Sequence, residues 1–151
     1  MPRSLSLAAF VFAAAVSIGP AGAQSLQNAE RTFVVQALAQ WQDTGVVVGR
    51  HPVMIRVADG RWTTDPAAGM FGPGGNPEKS GKPGYALAGS AEGMLIGRVG
   101  PYVFPVGEAS SIPPGIKGRL ELIINDDLQT KHGVGFTDNK GTLTVVITTF
   151  K

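Results

Sequence analysis

Arg119-Leu-Glu-Leu-Ile-Ile-Asn-Asp126 and Asp138-Asn-Lys-Gly-Thr-Leu-Thr-Val-Val-Ile-Thr148 are the two runs on which the reading of this chain turns. In the first, Leu120, Leu122 and Ile124 fall on one side of an extended chain, the period-2 signature of a half-buried strand. In the second, Leu143, Val145 and Ile147 repeat it. Between the two strands, Asp126 to Gly141 forms a connection that carries Asp126, Asp127, Asp138 and Asn139. Connections this long inside small domains usually carry function or lack order. If the two strands pair side by side, Asp126 meets the Asp138-Asn139 pair at one end of a sheet.

The pattern extends outward from there. Thr32 to Val35 reads as a strand, although Val35 to Trp41 also suits a short helix. Trp41 to Val48 reads as a turn feeding a β-branched strand, and Val53, Ile55 and Val57 alternate with Met54 and Arg56. Asp59-Gly60 is the strongest hairpin signal in the chain and predicts a turn into a short strand around Trp62. Asp65 to Gly93 is dense in glycine and proline, which excludes a helix or a central strand and predicts a surface excursion. Met94 to Val99 and Tyr102 to Phe104 return to strand character, and Ser110 to Gly118 reads as turns. Short strands with frequent turns predict an all-β fold, an antiparallel β-sandwich. Trp41 and Trp62 are expected in its core or against its sheets.

The first residues carry a different signal. Arg3, the apolar run Leu5 to Ile18 and Ala21-Gly22-Ala23 have the order of a secretory leader, which predicts cleavage after residue 23 and a periplasmic or secreted product. The 151 residues less this 23-residue leader leave 128, the size of one domain (24–151). Without Arg3 the 13 basic residues become 12 against 11 acidic ones, a balance that gives no support to nucleic-acid binding. The chain has no cysteine, so disulfide and thiol chemistry are excluded. No later apolar run approaches the roughly 20 residues of a membrane-spanning helix.

Asp126, Asp138 and Asn139 offer the hard oxygen donors that calcium takes, but the spacing is not that of an EF-hand. Turn formation explains the same residues equally well, because Asp and Asn bond readily to nearby backbone. Nothing points to catalysis. No second carboxylate is signalled across a cleft, and the serines show neither a nucleophile elbow nor a triad. Phe71 and Tyr85 stand in the glycine-rich excursion, where they either stack on a ligand or anchor the loop.

Three blocks in one order add a resemblance. They are Trp62 to Pro77, with Phe71-Gly72-Pro73-Gly74-Gly75-Asn76-Pro77; Gly84 to Gly100, ending Gly93-Met94-Leu95-Ile96-Gly97-Arg98-Val99-Gly100; and Leu120 to Asp126 followed by Asp138 to Val145. In these the chain resembles the PA-IL-like family of bacterial calcium-dependent galactose-binding lectins, exported jelly-roll sandwiches of the galactose-binding type. The resemblance implies a calcium ion held by Asp126, Asp138 and Asn139, with Asp65 at the place of a residue that ligates through its backbone carbonyl. It also implies that Asp126 receives a sugar hydroxyl, with Asp138, Phe71 and Ser80 as further sugar-side candidates, and a homo-oligomeric assembly. A second backbone ligand belongs in the 127–137 loop, which is several residues longer than in the family; Gly135 is a candidate. The family's sugar-contacting histidine and glutamine are missing from Glu78 to Pro83, where Lys79, Ser80 and Lys82 stand instead, so galactose itself is not implied. The alternative is a structural or interaction module of the bacterial envelope, with structural calcium or none.

Overall fold

A computed structural model describes residues 28–151. The expected leader therefore lies outside the described residues. Nine strands run in order: β1 (Ala29–Gln36), β2 (Gln42–Val48), β3 (Val53–Thr63), β4 (Gly74–Ser80), β5 (Ala91–Val99), β6 (Tyr102–Pro105), β7 (Ala109–Ile112), β8 (Gly118–Ile124) and β9 (Lys140–Thr149). Two single 3-10 turns, Pro66–Ala68 and Gly135–Asp138, interrupt the connections. Among the described residues no helix is long and apolar enough to cross a membrane.

The strands form two antiparallel sheets. One has the order β1-β9-β3-β7; the other has β2-β8-β5-β4, with β6 also paired to β5. This is the expected sandwich, with the interleaved strand order of a jelly roll. Val35, Val53, Ile55, Leu143, Val145 and Ile147 from the first sheet and Leu95, Val99, Leu120, Leu122 and Ile124 from the second are all buried, as the period-2 reading requires. Trp62 is fully buried, and its Nε1–H donates to the Gly93 carbonyl at 2.7 Å. Trp41 is half-buried against the core, under the Arg98 guanidinium 4.2 Å from its ring centre. Both tryptophans therefore pack as expected.

Three local expectations are corrected. First, β8 and β9 do not pair. β8 lies between β2 and β5, and β9 between β1 and β3, so the connection from Asn125 to Asn139 crosses from one sheet to the other. Second, Asp59-Gly60 makes no hairpin. β3 continues through it against β9, with the register slipping between Val57 and Asp59, so the pair marks a bulge. Gly60 has φ +108°, and a Cβ there would collide with the Thr142 carbonyl oxygen. Third, Ser110 to Ile112, at the start of the expected turn region, belong to the short edge strand β7, paired to β3. The glycine- and proline-rich excursion does contain a strand, β4. It lies at the edge of its sheet, where Pro77 removes no ladder bond from a central position.

Ile96 and Ile123 add a second buried layer. They pair with each other between the inward pairs Leu95–Ile124 and Gly97–Leu122, so they face away from the main core, yet both are fully buried. The next residue on their face, Asn125, holds the excursion down there. Its Oδ1 accepts from Leu87 N at 2.9 Å, and its Nδ2 reaches the carbonyls of Leu87, Ser90 and Ala91 at 3.0–3.2 Å. The 81–91 segment is thereby fixed beside the end of β8, where Asp126 begins the crossing.

Candidate functional site

The crossing and the excursion meet at one end of the sandwich. Ala86 N donates to the Asp126 carbonyl, Leu128 N donates to the Gly84 carbonyl, and Tyr85 bridges Asp127 in antiparallel fashion. The Asp127 carboxylate accepts the backbone N–H groups of Gln129 and His132, which curls the chain into a tight turn. Burial works against that carboxylate's charge, but these N–H donors outweigh it and hold the Asp127 pKa below its ordinary value. Asp127 thus performs turn chemistry, one of the two readings the sequence left open.

Asp126 and Asn139 do something else. Asp126 is 5% exposed and Asn139 1%. Asp126 Oδ1 accepts its neighbour's N–H from Asp127 at 2.7 Å, while Oδ2 has no partner. Asn139 donates Nδ2 to the Ala37 carbonyl at 3.0 Å, and its Oδ1 has no partner. A carbonyl only accepts, so this bond fixes the amide orientation and leaves oxygen, not nitrogen, unpaired. Asn139 stands close enough to act on the Asp126 charge. Its second Nδ2 hydrogen works to lower the Asp126 pKa, although no hydrogen bond of ordinary length reaches Oδ2. Burial pushes the Asp126 pKa up, and the carboxylates of Glu92 and Asp138 add to the rise. Two buried acceptor oxygens without donors are costly, at about 1–3 kcal/mol each, and a cation would satisfy both.

A cleft of about 570 Å³ opens at this point. Asp126, exposed Asp138 and Ser80 border it, and so does Gly135. The sequence-derived candidates Asp126, Asp138, Ser80 and Asp65 are therefore gathered around one cavity, with Asn139 buried behind it. Asp65 plays a different part from the one expected. Its carboxylate caps the 3-10 turn at Ala67 N and pairs with Lys79 Nζ at 3.1 Å on the surface, which lowers its pKa and raises that of Lys79. Its carbonyl already accepts from Thr63 Oγ1 and Ala68 N, both at 2.9 Å, which uses both lone pairs. Phe71 does not border the cleft; it bridges Trp62 through two backbone bonds and serves as an anchor. Tyr85 does border it.

Among the described residues, no three His, Cys, Asp or Glu side chains cluster as a metal site. A site here would draw on amide and backbone oxygens beside Asp126, which suits calcium more than a transition metal. The sequence tied Glu92 and Glu108 to no site, yet the Glu92 carboxylate accepts from Thr64 Oγ1 at 2.8 Å and from Tyr85 O–H at 3.1 Å. These bonds hold the cleft wall, and burial next to this acid pushes the Tyr85 pKa far up. The only signal for Glu92 was a charged residue entering an apolar strand.

No protein-family model matches the sequence, and no characterised protein matches it at the sequence level. Among solved structures, the chain is similar to one described as "EclA N-terminal domain; PllA-like lectin". The likeness has a TM-score of 0.56 and 20% identity, over 78% of this chain and 94% of that one. At that identity the likeness establishes a shared β-sandwich fold, in agreement with the fold expected from the sequence.

Proposed function

We propose that this protein is an exported carbohydrate-binding protein that holds sugar hydroxyls through a calcium ion at the cleft between the two sheets. The observation that carries this reading is the pair of buried, donorless oxygens, Asp126 Oδ2 from the end of one sheet and Asn139 Oδ1 from the start of the other. The likeness of the fold to a lectin domain supports the ligand class.

Asp126 and Asn139 fit calcium as inner ligands, and Asp138 fits as an exposed carboxylate on the open side. Bound calcium would supply a doubly charged, oxygen-seeking centre whose remaining coordination positions accept vicinal hydroxyls in water. The chain's own residues do the positioning. The Ala37 carbonyl aims the Asn139 amide, the Asp127 N–H holds one Asp126 oxygen, and Asn125 keeps the neighbouring wall in place. The proposal is binding without turnover, which the likeness of the fold to a lectin domain supports.

A second reading, calcium that fastens the sandwich without binding sugar, draws on Lys79. It borders the cleft but turns to Asp65 rather than toward Asp126. One experiment tests the ion and another the sugar. The melting midpoint after chelation is expected to rise when millimolar calcium is restored, and the rise is expected to vanish in Asp126→Ala. A midpoint indifferent to calcium refutes the ion site. A glycan array probed with and without calcium then decides between binding protein and structural module.

A further inference from the structure

The cleft is not uniformly polar. Two aromatic rings border it, Tyr85 and His132, with centroids 6.2 Å apart and planes inclined by 43°, and the exposed side chain of Val134 lies beside them. Neither ring is loosely held. The Tyr85 hydroxyl donates to Glu92 at 3.1 Å, and the backbone N–H of His132 is bound by the Asp127 carboxylate. The ring Nε2 of His132 lies 2.9 Å from the Pro83 carbonyl, on the opposite loop. Because that carbonyl can only accept, Nε2 carries the hydrogen, and in that tautomer Nδ1 is the acceptor. The turn that presents the ring is itself under constraint, since Thr130 takes φ +53° without being glycine.

A pyranose presents two kinds of surface, a rim of hydroxyls and a face of C–H groups. The Asp126–Asp138 side of the cleft suits hydroxyls, whereas the C–H face needs a flat apolar partner. We infer that Tyr85 and His132 form the wall against which the C–H face of a neutral pyranoside packs, with His132 Nδ1 accepting one sugar hydroxyl. The selection of glycan then belongs to the 127–135 loop rather than to Glu78–Pro83. Two ordered rings that need no rearrangement on binding lose little entropy when the sugar arrives. This inference rests on the carbohydrate reading above.

The test compares the protein with His132→Ala and His132→Phe. Each is first assayed for its calcium-dependent rise in melting midpoint, then by calorimetry in calcium with the methyl pyranoside that the native protein binds best on the array. His132 is exposed, so neither change threatens folding. His132→Ala is expected to weaken sugar binding about tenfold and His132→Phe, which keeps a ring but loses the acceptor, about threefold, with the calcium response intact in both. Equal affinity in all three proteins overturns the wall while leaving the carbohydrate reading standing. So does a calcium response lost together with sugar binding, because the residue then acts by shaping the ion loop. A native protein that binds no sugar in calcium refutes the carbohydrate reading and takes the wall with it.

Discussion

Replacing Asp126 by Asn separates the burden that this carboxylate places on the fold from the use it serves. The carboxylate is 5% exposed with one oxygen unpaired, near Glu92 and Asp138. An asparagine keeps an Oδ1 for the Asp127 N–H, removes the buried charge and replaces the unpaired Oδ2 with an amino group. Relieving one unsatisfied buried acceptor contributes about 1–3 kcal/mol. For a domain of this size each kcal/mol moves the midpoint by about 3–5 °C, so Asp126→Asn is expected to melt about 3–15 °C higher than the native protein in chelator. In calcium the gap closes, and it reverses wherever the variant's advantage is below the calcium gain. At a hundredfold excess over its dissociation constant a ligand adds about 2.7 kcal/mol to the native protein, and the variant is expected to gain none of this. The pH dependence follows the same logic. Burial raises the Asp126 pKa above its unfolded value, so the unfolded chain releases its proton first as pH rises. Calcium-free native protein therefore loses stability between the unfolded carboxylate value and the raised folded one, and the variant lacks that loss. Scanning calorimetry across pH 3 to about 8, with chelator and with calcium, reads all of this. If Asp126→Asn melts lower than the native protein in chelator, the two oxygens are not the burden described and the ion site loses its basis.

Other expectations are simpler. Asn125→Leu strands the Leu87 N–H and three carbonyls and is expected to cost about 2–4 kcal/mol, with accelerated amide exchange at Leu87 as its local signature. Trp62→Phe removes the Nε1 bond to Gly93 and leaves a void in the core, and a loss of about 1–3 kcal/mol in urea unfolding is expected. Gly60→Ala forces a Cβ into the Thr142 carbonyl at positive φ and is expected to cost at least about 1–3 kcal/mol, where an ordinary hairpin turn would tolerate it better. Asp65→Asn breaks only a surface pair and leaves the carbonyl untouched, so the calcium midpoint is expected to stay where it is in the native protein; a shift would make Asp65 a ligand.

The strands were legible because each has one buried face, and alternation in Val53–Val57 and Leu143–Ile147 records that face directly. Their partners were not. Alternation is a local property, whereas the jelly roll pairs β1 with β9 and β3 with both β7 and β9, and no residue in β8 or β9 announces which sheet it joins. Asp59-Gly60 misled for a related reason. The conformations that close a hairpin also serve a bulge, and only the continuing register with β9 distinguishes them. At the candidate site, Asp126, Asp138 and Asn139 stood out because oxygen-bearing side chains beside strand ends are conspicuous. Asn125 read only as the end of a strand run, since nothing in sequence marks a polar side chain that pins a distant loop. The same limit applies to His132, whose meaning depends on Pro83, 49 positions earlier.

The crossing between sheets also has a kinetic consequence. Asp126 and Asn139 belong to different layers, so the pair comes into being only when the layers dock, and docking is the least local event in this topology. A cation caught between them cannot guide the early collapse of the chain. Instead it would act as a late latch, slowing the rate at which the native protein opens while leaving the rate of refolding nearly unchanged.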